Sequence, residues 1–74
     1  MQSEYDKLFG ANLRKLRESK KMTQEQLASK LQTNDCDITR SALAKIEVGQ
    51  RHIYAWEIKA LKNALKVPYE ELFI

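Results

Sequence analysis

Residues 37–51, from Asp37 to Arg51, read DITRSALAKIEVGQR. Thr39 is a favourable helix N-cap, Ile38 and Leu43 occupy the two positions of a hydrophobic staple around it, and Gly49 supplies a left-handed stop. Asp37 competes as a cap, but the staple pairing works only from Thr39. The stretch therefore predicts a short helix over about 40–48. On a helical wheel Leu43 and Ile46 face inward with Ala42 beside them, while Arg40, Ser41, Ala44 and Lys45 share the outer face. That outer face is basic and carries no acid. Glu47, four residues after Leu43, falls on the inward side.

An inward glutamate needs a cation, and the first helix has one. That helix runs from about Ser3 to Ser19, with Ser3 as N-cap and Asp6 three residues on in a capping-box arrangement. Tyr5, Leu8, Phe9, Leu13 and Leu16 form an apolar stripe at helical spacing. Arg17 lies four residues after Leu13, in line with that stripe. A lone charge on a core face is costly, and an opposite pair is tolerable when well bonded. Arg17 and Glu47 are therefore expected to pair, tying the first helix to the end of the third. Gly10 costs roughly 1 kcal/mol relative to Ala inside a helix. It reads as a point where another helix packs closely against bare backbone.

Between these lies a second helix, over about 24–34. Thr23 and Gln26 form a T-x-x-Q capping box, Met22 and Leu27 a staple, and Leu27, Ala28 and Leu31 a buried face. The connection Gln32 to Ile38, QTNDCDI, has no Gly. Either the second helix runs on to a left-handed Asn34 or Asp35, or the loop bulges outward. A fourth helix is expected over about Tyr54 to Leu65, with Tyr54, Ile58, Leu61 and Leu65 in line. Pro68 then opens a short last helix carrying Leu72 and Phe73. With no internal repeat and no linker, residues 1–74 read as one all-α domain, a compact bundle of four to five helices.

Composition narrows the function. The chain is 43% hydrophobic and 31% charged with two Gly and one Pro, which argues against disorder. A net charge of +3 and a pI near 9.1 suit a polyanionic partner without demanding one. The single Cys36 excludes an internal disulfide and fits a reducing compartment. One Cys and one His are too few for a metal site. No nucleophile and base sit in a motif context and no Gly-rich phosphate loop is present, so neither an enzyme nor a cofactor is expected. The longest apolar run, Ile53 to Trp56, is far below the roughly 20 residues of a membrane span. With no secretory signal, a cytoplasmic protein without a small-molecule ligand domain is expected.

The outer face of the third helix has the chemistry of a major-groove reader. Arg and Lys donate to guanine, Ser bonds either partner, and Ala allows close approach or touches a thymine methyl. The competing account is a surface helix with solvated charges. Cys36 reads as an incidental loop residue. His52 reads either as a phosphate contact or as a cap on the third helix's carbonyls. Trp56 lies off the apolar stripe and reads as cover for the bundle edge or as a dimer or partner surface.

LRKLRESKKMTQEQLASKL followed by ITRSALAKIEVGQR resembles the Cro/repressor-type (XRE-like) helix-turn-helix family of phage and bacterial regulators. The resemblance runs from about Leu8 to Phe73. Its parts stand as Leu13-x-x-Leu16-Arg17, Met22-Thr23-Gln24-x-x-Leu27-Ala28, Ser41-x-Leu43-x-x-Ile46-Glu47-x-Gly49 and Leu61-x-x-Ala64-Leu65-x-Val67. It implies the phage-repressor-like fold, double-stranded DNA binding through the third helix, and a homodimer on a near-palindromic operator. Arg40, Ser41 and Lys45 would then read bases, and Gln24, Gln50 and Arg51 would position the backbone. Thr23 and Thr39 set the helix starts. Arg17 and Glu47 also pair in the family. The long acidic turn departs from the family's usual tight turn. With Trp56, it supports an alternative use of the same fold, a protein-interaction module of antitoxin-like or anti-regulator type.

Overall fold

Each of the first three helices begins at a side chain that caps it. Ser3 Oγ accepts from the Asp6 N–H, Thr23 Oγ1 from the Gln26 N–H, and Thr39 Oγ1 from the Ala42 N–H. Gln26 completes its capping box by accepting from the Thr23 N–H. The computed structural model describes residues 3–73, and among them five helices follow in order. They are α1 (Glu4–Ser19), α2 (Gln24–Thr33), α3 (Arg40–Glu47), α4 (Ala55–Leu65) and α5 (Tyr69–Leu72). Helix α1 packs on α3, α2 packs on both α3 and α4, and α5 lies against α1. Asn12 Nδ2 ties that last contact by donating to the carbonyls of Glu71 and Leu72 at 2.7 and 2.8 Å.

The first four helices stop by one device, a left-handed residue followed by an N–H that reaches back to a carbonyl five residues earlier. The left-handed residues are Lys21, Asp35, Gly49 and Lys66. The bonds run from Met22 to Arg17, Cys36 to Leu31, Gln50 to Lys45 and Val67 to Lys62. This resolves the long α2–α3 connection. Helix α2 ends at Thr33, Asn34 follows, and Asp35 at φ 61° turns the chain back. Cys36 is thereby folded into the core beside Leu31 and Ile38. It is not an incidental loop residue but the apolar contact that accompanies this kind of helix end.

Leu13, Leu27, Leu43, Ile46 and Leu61 are all but sealed from solvent and form the centre of the bundle. Gly10 faces the end of α3 so closely that an added Cβ would overlap the carbonyl oxygen of Ile46 and lie 2.8 Å from that of Glu47. The apolar stripe of α1 does not continue into the core over its whole length. Tyr5 is 63% and Leu8 51% exposed, and both line an open groove with Phe9, Leu72 and Phe73. Tyr54 is likewise outside the core line of α4; it precedes the helix and is exposed.

Candidate nucleic-acid interface

The Arg40, Ser41 and Lys45 side chains are exposed on α3 and Ala44 is half-buried between them, while Leu43, Ile46 and Glu47 are buried on the opposite side. Among the described residues no carboxylate lies within ion-pair distance of Arg40 or Lys45. The cationic groups of this face are therefore available to an external anion or base edge.

Glu47 is turned inward and fully engaged. Arg17 Nε donates to its Oε2 at 2.7 Å and Arg17 Nη2 to its Oε1 at 3.1 Å. Arg17 Nη1 donates to the carbonyl of Met22, so the guanidinium also holds the α1–α2 turn. The hydrogen bonds it donates to Glu47 push the Arg17 pKa up against the lowering effect of burial. Gln24 joins the group by donating Nε2 to Glu47 Oε1 at 3.0 Å. Gln24 is half-buried at the start of α2 and lines an open notch with Arg14, Arg17, Thr23, Glu25 and Arg40. The two helix starts named by the sequence therefore meet at one surface.

The α3–α4 connection is organised around an acid that the pattern reading passes over. Arg51 donates Nη1 and Nη2 to the two oxygens of Glu57 at 2.9 and 2.8 Å, and Nη1 also to the His52 carbonyl. Glu57 in turn accepts from the Tyr54 N–H at the start of α4. Arg51 holds the Glu57 carboxyl below its ordinary pKa, against desolvation and with help from that N–H. A signal was present: Glu57 lies four residues before Leu61, on the inward side of α4. Arg51 is thus engaged within the fold, whereas Gln50 is exposed.

His52 does not cap the carbonyls of α3, and its side chain is exposed. Its Nδ1 lies 3.6 Å from Asp6 Oδ1 and its ring meets Tyr54 edge-on, while the Lys45 and Ile46 carbonyls of α3 receive the Gln50 and Gly49 N–H groups. Trp56 does not cover the bundle edge. It is 68% exposed and stacks on Tyr54 with ring centroids 4.9 Å apart.

A capped helix pair with the second helix packed against the first, and a basic, acid-free outer face on that second helix, defines a helix-turn-helix module. The chain belongs to the helix-turn-helix domain family of XRE type, which matches residues 10–73. This is a family of DNA-binding transcription regulators and not a class of enzymes. The chain is 40% identical over 65 residues to the HTH-type transcriptional repressor RghR of Bacillus subtilis. That match covers 86% of this chain and 44% of the repressor, so the chain spans less than half of that relative's length. Its structure is similar to the restriction-modification controller protein C.AhdI from Aeromonas hydrophila, with TM-score 0.82 and 35% identity over 92% of this chain and 91% of that one. The clp gene regulator ClgR from C. glutamicum shares the fold at TM-score 0.82 and 20% identity, covering 96% of this chain and 86% of that one. No helix among the described residues is long and apolar enough to cross a membrane.

Proposed function

We propose that the protein represses transcription by binding a palindromic operator as a homodimer, in the cytoplasm and at the nucleoid. The observation that carries this reading is the outer face of α3, where Arg40, Ser41 and Lys45 are exposed and the helix's one acid is turned inward onto Arg17. Arg40, Ser41 and Lys45 read base edges in the major groove. Gln24 and Gln50 contact the sugar–phosphate backbone or adjacent base edges. Arg51 acts on the DNA chiefly by holding the α3–α4 connection on Glu57. Thr23 and Thr39 fix the two helix starts.

Two-fold binding requires recognition helices about 34 Å apart. One molecule measures 30 × 23 × 21 Å, so two copies fit side by side at that spacing. Both the repressor RghR and the controller protein C.AhdI support a regulatory role. The test is selection from a random duplex pool at physiological salt, with Arg40→Ala beside the wild type. Enrichment of a two-fold motif that the variant loses is the expected result. Equal loss of specific and non-specific binding in Arg40→Ala would remove the base-reading role.

A second reading is favoured by one observation, the exposure of Trp56 on Tyr54 beside the acidic α2–α3 turn. In that case the fold serves as a protein-interaction module. It requires feeble duplex binding even at low salt and a partner interface that Trp56→Ala disrupts.

A further inference from the structure

The strut between α1 and α3 needs only Arg17 and Glu47. Their two-bond pair already engages both carboxylate oxygens. Gln24 is nevertheless bonded to Glu47 Oε1 at 3.0 Å, although its half-buried amide is within reach of water. A carboxylate paired with a guanidinium only accepts, so the Gln24 amide meets it through N–H and in no other way. The amide is therefore oriented by chemistry. One N–H faces Glu47, and the carbonyl oxygen with the other N–H is left for the notch that Gln24 lines with Arg14 and Arg40.

We infer that Glu47 is a positioning residue for base reading, which fixes the end of the Gln24 amide that meets the DNA. The inference rests on α3 being the helix that enters the groove. A glutamine free to rotate its amide offers donor or acceptor to whatever base edge is near and discriminates little. A glutamine held by one N–H offers an acceptor and a donor in fixed order, the pattern that complements the N6 and N7 atoms of adenine. Arg40 opens α3 on the same notch and has guanine as its natural partner. The notch thus presents two side chains with different base preferences, one of them set by an acid that never touches DNA. Glu47 accordingly has two separable effects: stability through Arg17 and sequence preference through Gln24.

The experiment is duplex selection with the full chain as wild type, Gln24→Met and Glu47→Gln, together with amide-proton NMR of the free protein. In the wild type a motif is enriched. In Gln24→Met the preference at one base step per half-site falls about tenfold, the scale of one good base contact. In Glu47→Gln the same step loses its preference while the other positions keep theirs. A Glu47→Gln profile that is unchanged at that step, or weakened evenly at every step, overturns the inference and leaves DNA binding intact. Absence of any wild-type motif overturns the DNA-reading function itself, and the inference with it. Should Glu47→Gln fail to fold, the wild-type side-chain amide of Gln24 decides, assigned by its disappearance in Gln24→Met. One slowly exchanging proton with a displaced shift is expected; an averaged, fast-exchanging pair overturns the inference.

Discussion

Arg17 Nε stands 2.7 Å from Glu47 Oε2, with the two side chains only 8% and 1% exposed. The pair joins the last turn of α1 to the last turn of α3, and through the Met22 carbonyl it also fixes the turn into α2. Removing one partner leaves the other as an uncompensated buried charge. Arg17→Ala is therefore expected to lower the unfolding free energy by about 3–5 kcal/mol, a large share of the roughly 5–15 kcal/mol typical of a domain. The double replacement Arg17→Met with Glu47→Leu should cost much less than the two single losses added together. Urea unfolding of wild type, Arg17→Ala, the two single replacements Arg17→Met and Glu47→Leu, and their double checks both statements, and an Arg17→Ala midpoint equal to wild type would falsify the strut.

The second buried acid makes the fold sensitive to low pH. Hydrogen bonds from Arg51, and then the Tyr54 N–H, lower the folded pKa of Glu57 despite desolvation. A group with a depressed folded pKa stabilises fully above its unfolded value, 4.5 here, and loses that contribution as pH falls through the folded value. Wild type should lose stability through that acid window, and Glu57→Gln should be less stable at neutral pH but show a flatter profile there. Urea midpoints measured from about pH 7 down to about pH 2 make the comparison. Parallel curves for the two proteins would show that Glu57 contributes nothing to the acid response.

Cys36 should be a poor nucleophile. Burial, followed by the nearby Glu57 carboxylate, pushes its thiol pKa up, and only 5% of the residue is exposed. Thiolate is the reactive form, so reaction with a disulfide reagent must wait for opening of the α2–α3 turn. The folded protein should therefore label orders of magnitude more slowly than the same chain in urea. Labelling at the rate of an unfolded cysteine without denaturant would contradict the burial of this turn.

The helix starts were legible because a cap is local. Ser3, Thr23 and Thr39 act on N–H groups three residues away, within reach of any sequence pattern. The Arg17–Glu47 contact was legible because each residue breaks an apolar period, and two breaks of opposite charge imply each other. The bond from Gln24 to Glu47 was not, because it depends on how closely α2 and α3 cross, which neither helix encodes alone. Tyr5 and Leu8 show another limit: periodicity identifies a face but not how much of it is covered. The helix stops were the least visible. Gly49 announces itself and Asp35 was one of two residues the sequence offered for the turn after α2, whereas Lys21 and Lys66 adopt the same left-handed backbone with nothing in their side chains to mark it.

The left-handed stops other than Gly49 are open to improvement by substitution. Lys66 sits at φ 56° with an exposed side chain, so its Cβ carries the left-handed strain with little packing in return. Lys66→Gly should relieve that strain, partly offset by the greater freedom of glycine in the unfolded chain. A net gain of about 1 kcal/mol is expected, equivalent to a Tm increase of roughly 4–8 °C for a domain of this size. Asp35→Gly should gain less, because Asp tolerates the left-handed region better than Lys. Gly49→Ala should move the other way. Besides its φ of 78°, a Cβ there would lie 2.6 Å from Lys7 Cγ and 2.9 Å from Lys7 Cα. Thermal unfolding of the three variants gives the order directly, and a Lys66→Gly protein that melts at or below the wild-type temperature would mean that the lysine is held there by more than the turn.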